Sequence, residues 1–214
     1  DADEFASIIV AGTSSGNIVY NRYVNTVGTN EWDLIGSPVN GLDINTFVAN
    51  NSGVLATNGV QVGIGIYGNS NNGWSNYTTD GSGAGNINAV GSFDIGKGYQ
   101  MATTSGATLA FTGTIATSDQ TQSIINNDGT GSGRRWNLVA NPYPSYLNLN
   151  SAADGTNNLI SVNTAMGNQI IDGSFAAVYG WNPNKSGGAG YDSYDNNDTA
   201  KYIAPGQGFF IAAS

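Results

Sequence analysis

Ala107-Thr-Leu-Ala-Phe-Thr-Gly-Thr-Ile115 sets the period of this chain. Leu109, Phe111, Gly113 and Ile115 alternate with Ala110, Thr112 and Thr114, the spacing of a strand with one buried face. Other stretches read the same way. Ile18-Val-Tyr-Asn-Arg-Tyr-Val24 is β-branched and aromatic, with Gly16 and Asn17 before it as a turn. Val60-Gln-Val-Gly-Ile-Gly-Ile-Tyr67 places Val and Ile on one face and two glycines on the other, where another segment packs close. Helix is expected only over Ile44–Ala49, with Asp43 as its N-cap. Regular short strands and frequent turns predict an all-β, β-sandwich-like fold.

The strands recur in order. Trp32-Asp-Leu-Ile-Gly-Ser-Pro38 matches Trp136-Asn-Leu-Val-Ala-Asn-Pro142. Ala6–Thr13 matches Ala107–Thr114, and Ile66-Tyr-Gly68 matches Val178-Tyr-Gly180. Further on, Trp74-x-x-Tyr77 matches Tyr191-x-x-Tyr194, and Gly96-Lys-Gly-Tyr-Gln-Met101 matches Gly206-Gln-Gly-Phe-Phe-Ile211. Colinear matches of this kind predict two tandem copies, residues 6–101 and 107–214, packed into one pseudo-symmetric module over 1–214. Trp32 and Trp136 are then expected as one core tryptophan per copy. The two Gly-x-Gly stretches precede strands rather than helices, so they read as a shared backbone turn and not as phosphate loops.

Composition narrows the chemistry. The 214 residues carry 15 acidic and 6 basic side chains, a net charge of −9, which repels nucleic acid phosphates and anionic lipid surfaces. No apolar run approaches the length of a membrane span. Histidine and cysteine are absent, which removes the commonest general base, the Ser-His-Asp arrangement and thiolate metal sites. Glu4 and Glu31 are the only glutamates, so paired-carboxylate hydrolysis would rest on aspartates that lie mainly in turn-forming loops. A non-catalytic role follows as the expectation.

Trp74, Tyr77, Trp181, Tyr191 and Tyr194 stand among Asn, Ser, Asp and Gly. An aromatic face in such a setting suits a sugar ring, whose C–H face stacks while amides bond its hydroxyls. The same side chains would serve equally as caps over a core. Asp195 and Asp198, with Asp192, Asn196 and Asn197, form an oxygen-rich loop in which calcium is the cofactor to consider, although EF-hand spacing is missing. Any polysaccharide partner is expected to be neutral rather than anionic, given the acidic balance.

Trp136-Asn-Leu-Val-Ala-Asn-Pro-Tyr-Pro-Ser-Tyr-Leu147, Ile203-Ala-Pro-Gly-Gln-Gly-Phe-Phe-Ile211 and Asn21-Arg-Tyr-Val24 ahead of Trp32 together resemble a known type of region. It is the accessory β-domain of large flavobacterial proteins exported by the type IX secretion system. The resemblance implies a secreted or outer-surface location and covalently linked neighbouring domains. It also implies one of two roles: a carbohydrate-binding module of a polysaccharide-degrading enzyme, or a structural or adhesive spacer. Asp198-Thr-Ala200 resembles the short O-glycosylation acceptor of the same bacteria.

Overall fold

In the computed structural model, which describes residues 5–28 and 31–214, the chain is an all-β, sandwich-like fold of short antiparallel strands. Glu4 lies outside the described residues. The strands are β1 Ile18–Val24, β2 Asp33–Ile35, β3 Thr57–Asn58, β4 Gln61–Gly68, β5 Gly73–Thr78, β6 Tyr99–Met101 and β7 Ala107–Gly113. They continue as β8 Trp136–Ala140, β9 Leu147–Asn148, β10 Val178–Asn182, β11 Gly190–Tyr194, β12 Tyr202–Ile203 and β13 Gly208–Ala212. The two larger sheets run β2-β6-β4-β3, with β5 also pairing β4, and β8-β13-β10-β11; β1 with β7 and β9 with β12 form two-stranded sheets. The path β2-β6-β4-β5 thus has the same order and the same antiparallel sense as β8-β13-β10-β11.

Two hydrophobic clusters fill the fold. The larger takes Ile35, Phe47, Ile64, Tyr99 and Met101 from the first half, together with Tyr20, Val24, Leu109 and Phe111 from β1 and β7. The smaller joins Val139, Leu149, Ile160, Val178, Phe209 and Ile211. Strand β7 alternates as its sequence predicts, with Leu109 and Phe111 fully buried. Its partner is β1, in register from Ile18 opposite Gly113 to Val24 opposite Ala107. This differs from the expected match of Ala6–Thr13 with Ala107–Thr114. Residues 6–13 are irregular and mostly exposed, whereas 107–113 is a strand that covers the first cluster.

Helix α1, Ile44–Asn50, forms where expected: Asp43 Oδ1 accepts from Thr46 N at 2.9 Å, satisfying an otherwise unpaired N–H of the first turn. A second helix, α2 Leu159–Thr164, was not foreseen, although Asn158 caps it in the same way, accepting from Ser161 N at 2.8 Å. Its single buried residue, Ile160, gives too short an apolar repeat to announce a helix.

The glycine turns clasp the halves reciprocally. Gly36 N donates to Gly206 O at 2.9 Å, and Ala140 N donates to Gly96 O at 2.8 Å. Ile35 bridges Gln207, while Val139 bridges Lys97. Gly96 and Gly206 both adopt positive φ, at 75° and 64°, where glycine carries no steric penalty. Gly98 lies against the Leu138 side chain and Val139 O; Gly208 lies against the backbone of Leu34 and Ile35. Any side chain at either position would hold the halves apart.

The tryptophans differ from expectation. Trp32 and Trp136 are both half-buried rather than core residues. In the second half the reason is parity: Leu138 and Trp136 share one face of β8, while Val139 alone faces the cluster.

Candidate aromatic platform

Each half contains a hairpin that carries one Tyr–Trp pair. Tyr67 lies directly opposite Trp74 across the β4–β5 turn, with ring centroids 5.4 Å apart. Trp181 lies directly opposite Tyr191 across the β10–β11 turn, at 5.0 Å. Both pairs meet around one residue of β13. Phe210 touches Tyr67 at 4.8 Å, Tyr191 at 5.5 Å and Trp74 at 6.1 Å, all edge to face. Edge-to-face packing places the positive rim of one ring against the negative face of another, so the group is cohesive as well as apolar. Phe210 is 5 % exposed and forms the floor, while Trp74 and Tyr191 remain 40 % and 41 % exposed.

Three of the five aromatics singled out in the sequence, Trp74, Trp181 and Tyr191, therefore come together. Tyr77 and Tyr194 do not join them. Each stands three residues after a platform ring on a strand, and an odd spacing sends it to the opposite face. Tyr77 is 6 % exposed within the first cluster. Tyr194 packs on the second cluster beneath Lys201, whose Nζ lies 4.9 Å from its ring centroid. Tyr194 and Lys201 also line a cleft of about 180 Å³ over Val178, Phe209 and Ile203, behind the platform. Tyr67 and Phe210 complete the platform and were missed. Tyr67 was legible as the residue facing Trp74 across a Gly68–Gly73 turn; Phe210 needed the long-range pairing of β13 with β10.

Uncharged amides border the rings. Tyr67 donates its hydroxyl to Asn72 Oδ1. On the same face of the first sheet, Gln100 Nε2 donates to Asn76 Oδ1 at 2.7 Å. Gly65 lies between them and leaves the space that this amide pair fills. Burial raises the Tyr67 phenol, and burial followed by the nearby Tyr67 raises Tyr191. Both hydroxyls stay protonated near neutrality and are competent donors. Behind the second hairpin, Asp192 is held below the ordinary carboxylate range by the side-chain hydrogen bonds of Asn182 and Lys185.

The 195–198 loop is organised by hydrogen bonds from within the chain. Asn150, fully buried, sends Nδ2 to the carbonyls of Asp195, Asp198 and Thr199 at 3.0–3.2 Å. Asp198 Oδ2 accepts from Asp195 N at 2.8 Å, and Asp195 Oδ1 accepts from Asn197 N at 2.7 Å. One oxygen of each carboxylate and three loop carbonyls are thus engaged by backbone N–H groups or by the Asn150 amide. Among the described residues no group of three or more His, Cys, Asp or Glu side chains converges, and no helix is long and apolar enough to cross a membrane.

Comparison with protein-family models, with curated proteins and with solved structures returned no match for this chain.

Proposed function

We propose that the chain is a non-catalytic carbohydrate-binding module that holds a neutral polysaccharide on the Trp74–Tyr67–Phe210–Tyr191–Trp181 platform. The observation that carries this reading is the exposure of Trp74 and Tyr191 beside a buried Phe210, in a border of amides and hydroxyls. A sugar ring needs a flat apolar partner on one side and neutral donors and acceptors at its rim. The net charge of −9 favours an uncharged glycan over a sulfated or uronate chain. The absence of histidine supports a binding role over a hydrolytic one.

The module is proposed to work outside the cell, linked to neighbouring domains, as the resemblance to type IX secreted proteins implies. We read its halves as copies of one pattern, on the common order of the two sheets and the reciprocal glycine clasp. A spacer role is the second reading. It is favoured by the edge-to-face contacts through which Phe210 of one half is wedged between rings of both, bracing the module.

Trp74→Ala and Tyr191→Ala are each expected to weaken binding to the retained polysaccharide by about tenfold or more, measured by affinity electrophoresis. Both should lower the melting transition less than loss of a core ring does, since each is about 40 % exposed. Tyr77→Ala, by contrast, should lower stability by about 3–5 kcal/mol through a core cavity. Unchanged migration of both platform variants in the polysaccharide gel would favour the brace over the binding site.

A further inference from the structure

Beside the platform lies a second group of rings, Trp136, Phe175 and Tyr179. Trp136 of β8 contacts Tyr179 of β10 at 4.8 Å and Phe175 at 5.6 Å, and Phe175 is 39 % exposed. Trp136 pairs with Ala212, whose small side chain lets the indole lean across β13 to Tyr179. Tyr179 lies opposite Phe210 and two residues before Trp181, so all three share one face, with about 6.6 Å between the two β10 positions. The first half closes the gap from the other side: Asn69, in the turn that follows Tyr67 and precedes Trp74, donates Nδ2 to Trp136 O at 2.9 Å. The two ring groups therefore adjoin.

The cation at this second group is held by two carboxylates. The Arg135 guanidinium lies 5.5 Å from the Phe175 centroid and is held by both Asp128 and Asp172. Asn137 sits at the β8 edge, exchanging hydrogen bonds with Ile125 through Oδ1 and Nδ2 at 3.0 and 2.9 Å. A row of rings continues the platform across β8, β13, β10 and β11.

We propose that Trp136, Phe175 and Tyr179 form a second subsite, and that the module binds the interior of an extended, equatorially linked hexopyranose chain. Such a chain presents flat C–H faces along its length, which one ring group could not engage at more than one unit. This inference rests on the carbohydrate reading above, and it adds a dependence on ligand length that a single platform lacks.

The test titrates the whole chain with cello-, laminari- and agaro-oligosaccharides from the disaccharide to the hexasaccharide, by calorimetry. In the series that binds, affinity should rise with length. Phe175→Ala should lose about tenfold for the hexasaccharide while binding the shortest recognised oligosaccharide as the parent does. Trp74→Ala should weaken every length. A Phe175→Ala effect that is absent, or equal at all lengths, would overturn the second subsite while leaving the first in place. Light scattering that shows a dimer dissolved by Phe175→Ala would assign the patch to a second copy of the chain and also overturn it. Failure of the parent chain to bind any series would instead remove the carbohydrate reading, and the subsite with it.

Discussion

Replacing Asn141 by aspartate should cost about 4 kcal/mol or more at pH 7. Asn141 is fully buried beside Pro142, and its Nδ2 donates to Ser145 O at 2.7 Å and to Ile203 O and Ala204 O at 3.1 Å each. Its Oδ1 accepts from Tyr143 N at 3.0 Å. One amide therefore ties the turn after β8 to the turn before β13. Aspartate is nearly the same shape, so no cavity confuses the result. It removes the donor and points a charged oxygen at three carbonyls, of which Ala204 O keeps the Gln207 N–H at 3.0 Å, with burial of the charge added. Against a typical stability of about 5–15 kcal/mol the variant should be severely weakened.

The sign with pH is fixed. Burial and the carbonyls raise the folded-state pKa of the introduced carboxyl above its unfolded value of about 3.9. The deficit relative to the parent is thus smallest below that value, where the carboxyl is protonated in both states. It grows as pH rises towards the raised folded value. Urea midpoints at pH 4 and pH 7 read this directly; a loss under about 1 kcal/mol at pH 7 would mean that the amide is not the tie described.

The second large effect concerns the glycine clasp. Gly98→Ala and Gly208→Ala should each destabilise by about 2–3 kcal/mol through overpacking against groups that cannot turn away. A Cβ on Gly98 would stand 2.5 Å from Leu138 Cγ and 2.9 Å from Val139 O. A Cβ on Gly208 would stand 2.7 Å from Leu34 C and 2.9 Å from Ile35 N. The two positions occupy corresponding places in the two sheets, so their costs should be alike. Gly155→Ala is the control, because a Cβ there meets nothing within 4 Å, and it should fall within about 0.5 kcal/mol of the parent. Equal, small effects at all three glycines would contradict the close approach of the halves.

These cases show what could be read in advance. The strands over Ile18–Val24 and Ala107–Gly113 were legible because β-branched and aromatic residues alternate there with period two. The Gly-x-Gly turns were legible as turns because a helix-opening phosphate loop would not be followed by Tyr-Gln-Met or Phe-Phe-Ile. Their role as a clasp was not, since each glycine matters through a segment of the other half. The platform was half legible. Polar surroundings marked Trp74, Trp181 and Tyr191, but the odd spacing of Tyr77 and Tyr194 speaks only once β5 and β11 are known to be strands. Asparagine was the least transparent. Asn51, Asn141 and Asn150 look like loop residues in sequence, yet all three are buried ties between distant segments.

That distinction also bears on the acidic loop. Asp195 and Asp198 have the composition of a cation site, but Asn150 reaches them from 45 and 48 residues away. Sequence spacing could not reveal a side chain that braces the loop's carbonyls from outside.

The measurement that bears most directly on the central claim is retention of the intact chain on insoluble neutral polysaccharides beside sulfated and uronate ones, with and without calcium. The account predicts retention on a neutral glycan, indifferent to calcium and released by that glycan's own oligosaccharides. Retention only on the anionic glycans, or on none of them, would contradict it and leave the aromatic platform as the brace between two halves.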